Sequence, residues 1–147
     1  MTNQKHKQKI HKLLTQEKTG VLATQSSDFP YTSIIAFIAS EDLKTIIFAT
    51  KRRTQKFKNI QFNDKVSLMV DDRKQELSDF SATTTLTLLG YASQVEKEQY
   101  KTGFLKSHSQ LKEFINHSDC VMMKIEVDSY ILVQNFQQVT TIKSKEF

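Results

Sequence analysis

Residues Thr45 to Phe62, TIIFATKRRTQKFKNIQF, decide how the rest of the chain is read. Thr45, Ile46, Ile47 and Phe48 are β-branched or aromatic and read as a strand. After Ala49 and Thr50 come Lys51, Arg52, Arg53, Thr54, Gln55, Lys56 and Lys58, with no acid among them. Phe57 and Ile60 then recur at helical spacing, which predicts a helix over residues 54–62. The basic cluster therefore stands where a strand ends and a helix begins. Exposed cations there oppose the helix dipole by roughly 0.3–1 kcal/mol each. Free N–H groups at the helix start, two hydroxyls and several cations would suit a bound anion, above all a phosphate. The competing reading is a solvated basic turn.

Upstream of the corner, residues 3–18 carry Ile10, Leu13 and Leu14 at i, i+3 and i+4, the stripe of a short amphipathic helix. His6 and His11 are five apart, do not share a helix face as metal ligands would, and read as surface residues. Gly20 to Gln25 reads as a first strand, ended by Ser26, Ser27 and Asp28. Tyr31 to Ser40 has Ile34, Ile35, Phe37 and Ile38 on both parities, so it belongs between two layers or in a barrel with covered walls. With only Glu41 to Lys44 before Thr45, three strands should form an antiparallel meander.

Downstream, Val66, Leu68 and Val70 alternate as a half-buried strand, and Asp71 to Asp79 reads as a polar loop. Thr83 to Val95 is a long strand in which Gly90 marks a bulge or bend. Residues 96–103 and 109–116 look helical, the second with Leu111, Phe114 and Ile115 as its apolar stripe. Cys120–Val127 and Tyr130–Phe136 read as two further strands, and the tail from Thr140 as frayed. The expected fold is mainly β: one domain over 1–147, an antiparallel barrel of six to seven strands with short peripheral helices. Its helix at 1–18 and tail at 140–147 lie outside the barrel.

The chain has 147 residues, 38% hydrophobic and 25% charged, which excludes collagen-like and disordered classes. No apolar run approaches a membrane span, so no membrane association is expected. One cysteine, Cys120, builds no disulfide framework and fits a reducing cytoplasm; it reads as a packing residue. Three glycines and one proline exclude glycine-rich phosphate loops. The net charge of +5 permits contact with nucleic acid without arguing for it. No metal-ligand spacing, catalytic triad or convergent carboxylate pair stands out, which leaves the basic corner as the surviving candidate.

The order of motifs adds a resemblance. GVLAT, Pro30-Tyr31-Thr32-Ser33, IIFAT, T-x-K-x-x-N-I, VSLMVDD and Gly90-Tyr91-Ala92 together resemble the pyridoxamine 5′-phosphate oxidase-like, FMN-binding split β-barrel superfamily over about residues 10–136. The resemblance implies a homodimer with FMN in clefts between subunits. It implies Ser33, Ile34 and Ile35 along the flavin, Thr50 near the ribityl–phosphate end, and Thr54 and Lys56 on the phosphate. Lys51 and Arg53 would be further phosphate contacts, and Thr83 and Thr84 would meet the flavin from the partner subunit. The oxidase proper has arginines where Ser33 and Gln55 stand here, and a substrate lysine at about Ile38. Its Tyr-x-x-x-Arg-x-x-x-Ser pattern has no match around Tyr100, so pyridoxamine phosphate oxidation is not implied. The chain instead looks like a general member.

The leading expectation is thus an FMN-dependent oxidoreductase of unknown small-molecule substrate, with no catalytic side chain assigned. One alternative is a heme-binding or heme-degrading split barrel, which needs His108 or His117 to face a cleft. Another is a non-catalytic module in which the corner holds nucleic acid or another anion. Aromatic residues are sparse at the corner, and Phe57 falls on the apolar stripe, so base stacking is disfavoured.

Overall fold

The structure is a computed structural model, and it describes residues 3–72, 83–135 and 137–147. Seven strands run β1 (Thr19–Gln25), β2 (Pro30–Ala39), β3 (Thr45–Lys51), β4 (Lys65–Asp71), β5 (Thr84–Val95), β6 (Cys120–Gln134) and β7 (Gln138–Lys143). Four helices accompany them: α1 (Asn3–Gln16), α2 (Gln55–Phe62), α3 (Lys97–Ser107) and α4 (Lys112–Asn116). A 3-10 turn over Ser109–Leu111 joins the last two. The sheet order is β3-β2-β1-β4-β5-β6-β7, and β3 also pairs with β6. Every pairing is antiparallel, so β1–β6 close a six-stranded barrel with one extra strand.

The meander forms as the sequence implies, with Gly20↔Ile35 in the β1–β2 ladder and Phe37↔Phe48 in β2–β3. Strand β5 has its register shift between Leu89 and Gly90. A Cβ on Gly90 would lie 2.4 Å from the Glu126 carbonyl oxygen, so only glycine permits β6 to approach there. The expected loop falls partly outside the described residues, which end at Asp72 and resume at Thr83.

Three expectations need correction. The two strands around Asp128-Ser129 are one fifteen-residue strand, β6. Its first part pairs with β3, and from Ser129 the same edge pairs with β7. Phe136, the expected end of the last strand, lies outside the described residues. The tail does not fray: residues 138–143 form β7, because Ile142 buries to 1% exposure beside Tyr130 on β6. His6 is not a surface residue, because it lies one turn before Ile10 on the buried stripe of α1.

Two cores result. The larger fills the barrel with Leu22, Phe37, Phe48, Leu68, Leu86, Met123 and Ile125, closed at its mouth by Ile10, Leu13 and Leu14 of α1. The smaller lies outside the wall, where Ile47, Cys120 and Met122 meet Phe104 of α3 and Ile115 of α4. Ala36, Ile38 and Ala49 pack against that second core. Strand β2 is therefore apolar on both faces for a reason, but only half of its outer face is covered. Ile34 remains 75% exposed.

Candidate functional site

The basic corner is built by a cap. Thr54 has the extended backbone of an N-cap, and its side-chain oxygen accepts from the Phe57 N–H at 3.3 Å. The Thr54 hydroxyl donates to the Lys51 carbonyl at 2.8 Å, and Thr50 and Thr54 share a hydroxyl contact of 3.0 Å. The cap's proton is thus directed at the backbone, which fixes α2 at an angle to β3. Buried Asn59 then pins α2 to β1, accepting from Gln55 at 2.8 Å and donating to the Thr24 hydroxyl at 3.0 Å. Helix geometry leaves the N–H groups of Gln55 and Lys56 without helical acceptors.

Beside the corner lies a cavity of about 380 Å³. Its basic wall is Thr50, Lys51, Thr54 and Lys56, and its floor is Ile34, Ile35 and Ala36 of β2 with Ala49 and Thr19. Phe104, Leu111 and Phe114 make the opposite wall. Burial lowers the Lys56 ammonium below its ordinary 10.5, so this cation has lost solvent and gains from a nearby anion. The Lys51 ammonium lies 5.6 Å from the Phe114 ring centroid, in range of a cation–π contact.

The structure therefore brings six of the ten expected site residues to one cavity: Ile34, Ile35, Thr50, Lys51, Thr54 and Lys56. Arg53 stands apart, with its side chain 72% exposed and its Nε 3.8 Å from the Asp119 carboxylate. Ser33 sits next along β2, its buried hydroxyl without a hydrogen-bond partner among the described residues. Thr84 opens β5 and Thr83 directly precedes it, both outside this cavity. Thr84 pairs across to Gln134, and the Thr83 hydroxyl is buried and likewise unpartnered. The aromatic wall was missed. Its signal was the Leu111–Phe114 stripe, but the sequence does not say which strand face those residues meet.

The histidines do not meet the condition set for iron ligation. His108 is 1% exposed, packs on the Phe104 ring at 4.7 Å and places Nε2 2.8 Å from the Phe37 carbonyl oxygen. His117 accepts the Asp119 N–H at Nδ1 (3.1 Å), and neither ring lines the cavity. Among the described residues, no group of three or more His, Cys, Asp or Glu is arranged to hold a metal ion. No described helix is long and apolar enough to cross a membrane. A larger hollow of about 470 Å³ opens on the bare outer face between Pro30, Lys65, Tyr91 and Asp128. Among the described residues Lys65 is the one cation in its lining and no helix start lines it, so the smaller cavity carries the anion chemistry.

Comparison with known proteins agrees with this fold. No curated protein is similar enough to match the chain. Its fold is similar to General Stress Protein 26 from Bacillus anthracis str. Sterne, with TM-score 0.75, 23% identity, and 94% of this chain and 98% of that one covered. It is also similar to a heme binding protein from Mycobacterium smegmatis, with TM-score 0.79 and 18% identity over 90% of this chain but 55% of that one. A FAD-binding protein from Mesorhizobium loti superposes with TM-score 0.69 and 15% identity, covering 85% of this chain and 91% of that one. The family model for pyridoxamine 5′-phosphate oxidase matches residues 6–134. The chain belongs to the pyridoxamine 5′-phosphate oxidase-like family, as a general member rather than the oxidase proper.

Proposed function

We propose that this chain is a cytoplasmic, homodimeric flavoprotein that holds FMN in the 380 Å³ cavity and acts as an oxidoreductase on a small molecule. The observation that carries the reading is the cavity's division into a basic end and an apolar end. At one end, Lys51, Lys56, Thr50 and the unpaired amides of the α2 start fit a phosphate. At the other, Ile34, Ile35, Ala36, Phe104 and Phe114 fit a planar ring system. FMN supplies the electron transfer, and the side chains supply its binding, its orientation and the exclusion of water.

The second subunit is supported by the bare half of the outer wall, where Ile34, Met69, Leu89 and Tyr91 are exposed. In a dimer covering that face, Thr83 and Thr84 would be offered to the partner's flavin. Heme is disfavoured because His108 is committed to the Phe37 carbonyl and His117 lines no part of the cavity. A nucleic-acid module is disfavoured because the aromatic side chains beside the cations, Phe104 and Phe114, pack into the second core instead of forming a row along an exposed groove.

Titration of the purified protein with FMN and with hemin, followed by visible absorption, tests the reading. FMN should bind at micromolar concentration or below, and binding of neither ligand would end it. Lys56→Ala should weaken FMN by about tenfold or more, the worth of a charge-assisted hydrogen bond, and leave riboflavin within about twofold. Equal losses for both flavins would remove Lys56 from the phosphate.

A further inference from the structure

Lys97, the first residue of α3, does not line the cavity. Its ammonium donates to three backbone carbonyls: Ile115 at 3.0 Å, His117 at 3.3 Å and Cys120 at 3.1 Å. An ammonium has three N–H donors, so all are spent at this point. The acceptors belong to the end of α4, the turn after it and the first residue of β6. The Ile115 carbonyl, in the last turn of α4, lacks a helical partner and needs an outside donor.

The fastened segment touches both walls of the cavity. The Asp119 carbonyl accepts from the Arg52 N–H at 3.0 Å, and the Asp119 carboxylate faces Arg53. Cys120 is the partner of Lys51 across the β3–β6 ladder. On the other side of the same segment, α4 carries Phe114, whose ring lies beneath the Lys51 ammonium. One side chain thus ties the aromatic wall to the turn that holds the cationic wall.

We infer that Lys97 is a positioning residue for the anion corner, setting the placement of Lys51 and Arg52 through the 115–120 segment without touching the ligand. Methionine here would keep the stem and remove the ammonium from all three carbonyls, of which His117 keeps the Cys120 N–H at 3.0 Å. Arginine would keep the charge, but its planar fork cannot meet three acceptors converging on one point.

The test uses the full chain with Lys97→Met. Amide hydrogen exchange should accelerate at Arg52 by about tenfold or more, while Leu68 and Leu88 on the far β4–β5 ladder stay within about twofold. Acceleration of all three alike would mean loss of global stability only and would overturn the inference, as would an unchanged Arg52. The flavin arm rests on the function proposed above. There the preference for FMN over riboflavin should fall by roughly threefold or more. An unchanged preference in a protein that binds FMN would also overturn it. If the unsubstituted chain binds no flavin, the flavin reading fails and the exchange arm alone decides. Should Lys97→Met fail to fold, Lys97→Arg should show the same selective exchange at Arg52, and its absence overturns the inference.

Discussion

Strand β2 has one outer face in two conditions. Toward its C-terminal end, Ala36 and Ile38 lie under α3 and α4, packed with Ile47, Phe104 and Met122. Toward its N-terminal end, Ile34 stands bare beside Val21 on β1, which in turn neighbours Met69 on β4. The covered half is a second core that the chain completes by itself. The bare half is a surface of similar chemistry that it does not complete. The candidate cavity opens at the border, with Ile34 and Ala36 both in its floor. A site placed there can have one wall from this chain's own helices and another from whatever covers the bare side.

Three substitutions test that contrast. Phe104→Ala strikes the covered half at a side chain with no exposure. It should cost about 3–5 kcal/mol, read from urea unfolding, because the transfer and cavity terms both apply. A loss under about 1 kcal/mol would mean that the helices only rest on the wall. Met69→Glu strikes the bare half, outside the cavity lining. Within one chain it should change stability by no more than about 0.5 kcal/mol, since Met69 is 37% exposed. In sedimentation, self-association should weaken by roughly tenfold or more, the consequence of placing a charge in an apolar contact. Unaltered association would move the subunit contact elsewhere.

The smallest effect belongs to Cys120 in the covered half. Burial raises its thiol above the ordinary 9.0, with Lys97 and Lys51 pulling partly the other way. A group whose native pKa is raised contributes stability that is fully present below its unfolded value and lost as pH rises through the native one. The melting temperature should therefore decline from about pH 9 upward. Cys120→Ala should flatten that decline, and an identical alkaline slope would show that the thiol plays no part.

Much of this was legible because local chemistry and tertiary role coincide. The helix expected over residues 54–62 is there as Gln55–Phe62, with Thr54 as its cap, and the alternation of Val66, Leu68 and Val70 is that of a half-buried strand. The misses arose where a residue's neighbours are distant in sequence. Asp128-Ser129 looks like a turn, but Asp128 pairs with Lys143 at 3.1 Å on β7, so β6 runs straight through. Val139 to Ile142 is a β-branched run whose meaning depends on the free edge of β6. His108 looks polar until the Phe37 carbonyl is brought to it. The aromatic wall follows from that docking, and no spacing within residues 104–114 specifies the strand they cover.

The path of β6 also bears on how the chain is made. Strands β1 to β5 can pair as they emerge, and they leave two raw edges, on β3 and on β5. Both edges wait for residues 120–134, the one segment that bridges them. During synthesis the half-built sheet thus presents open backbone on both sides until β6 leaves the ribosome. Unpaired edges of that kind recruit other chains. The interval between β5 and β6 is when this protein most needs protection.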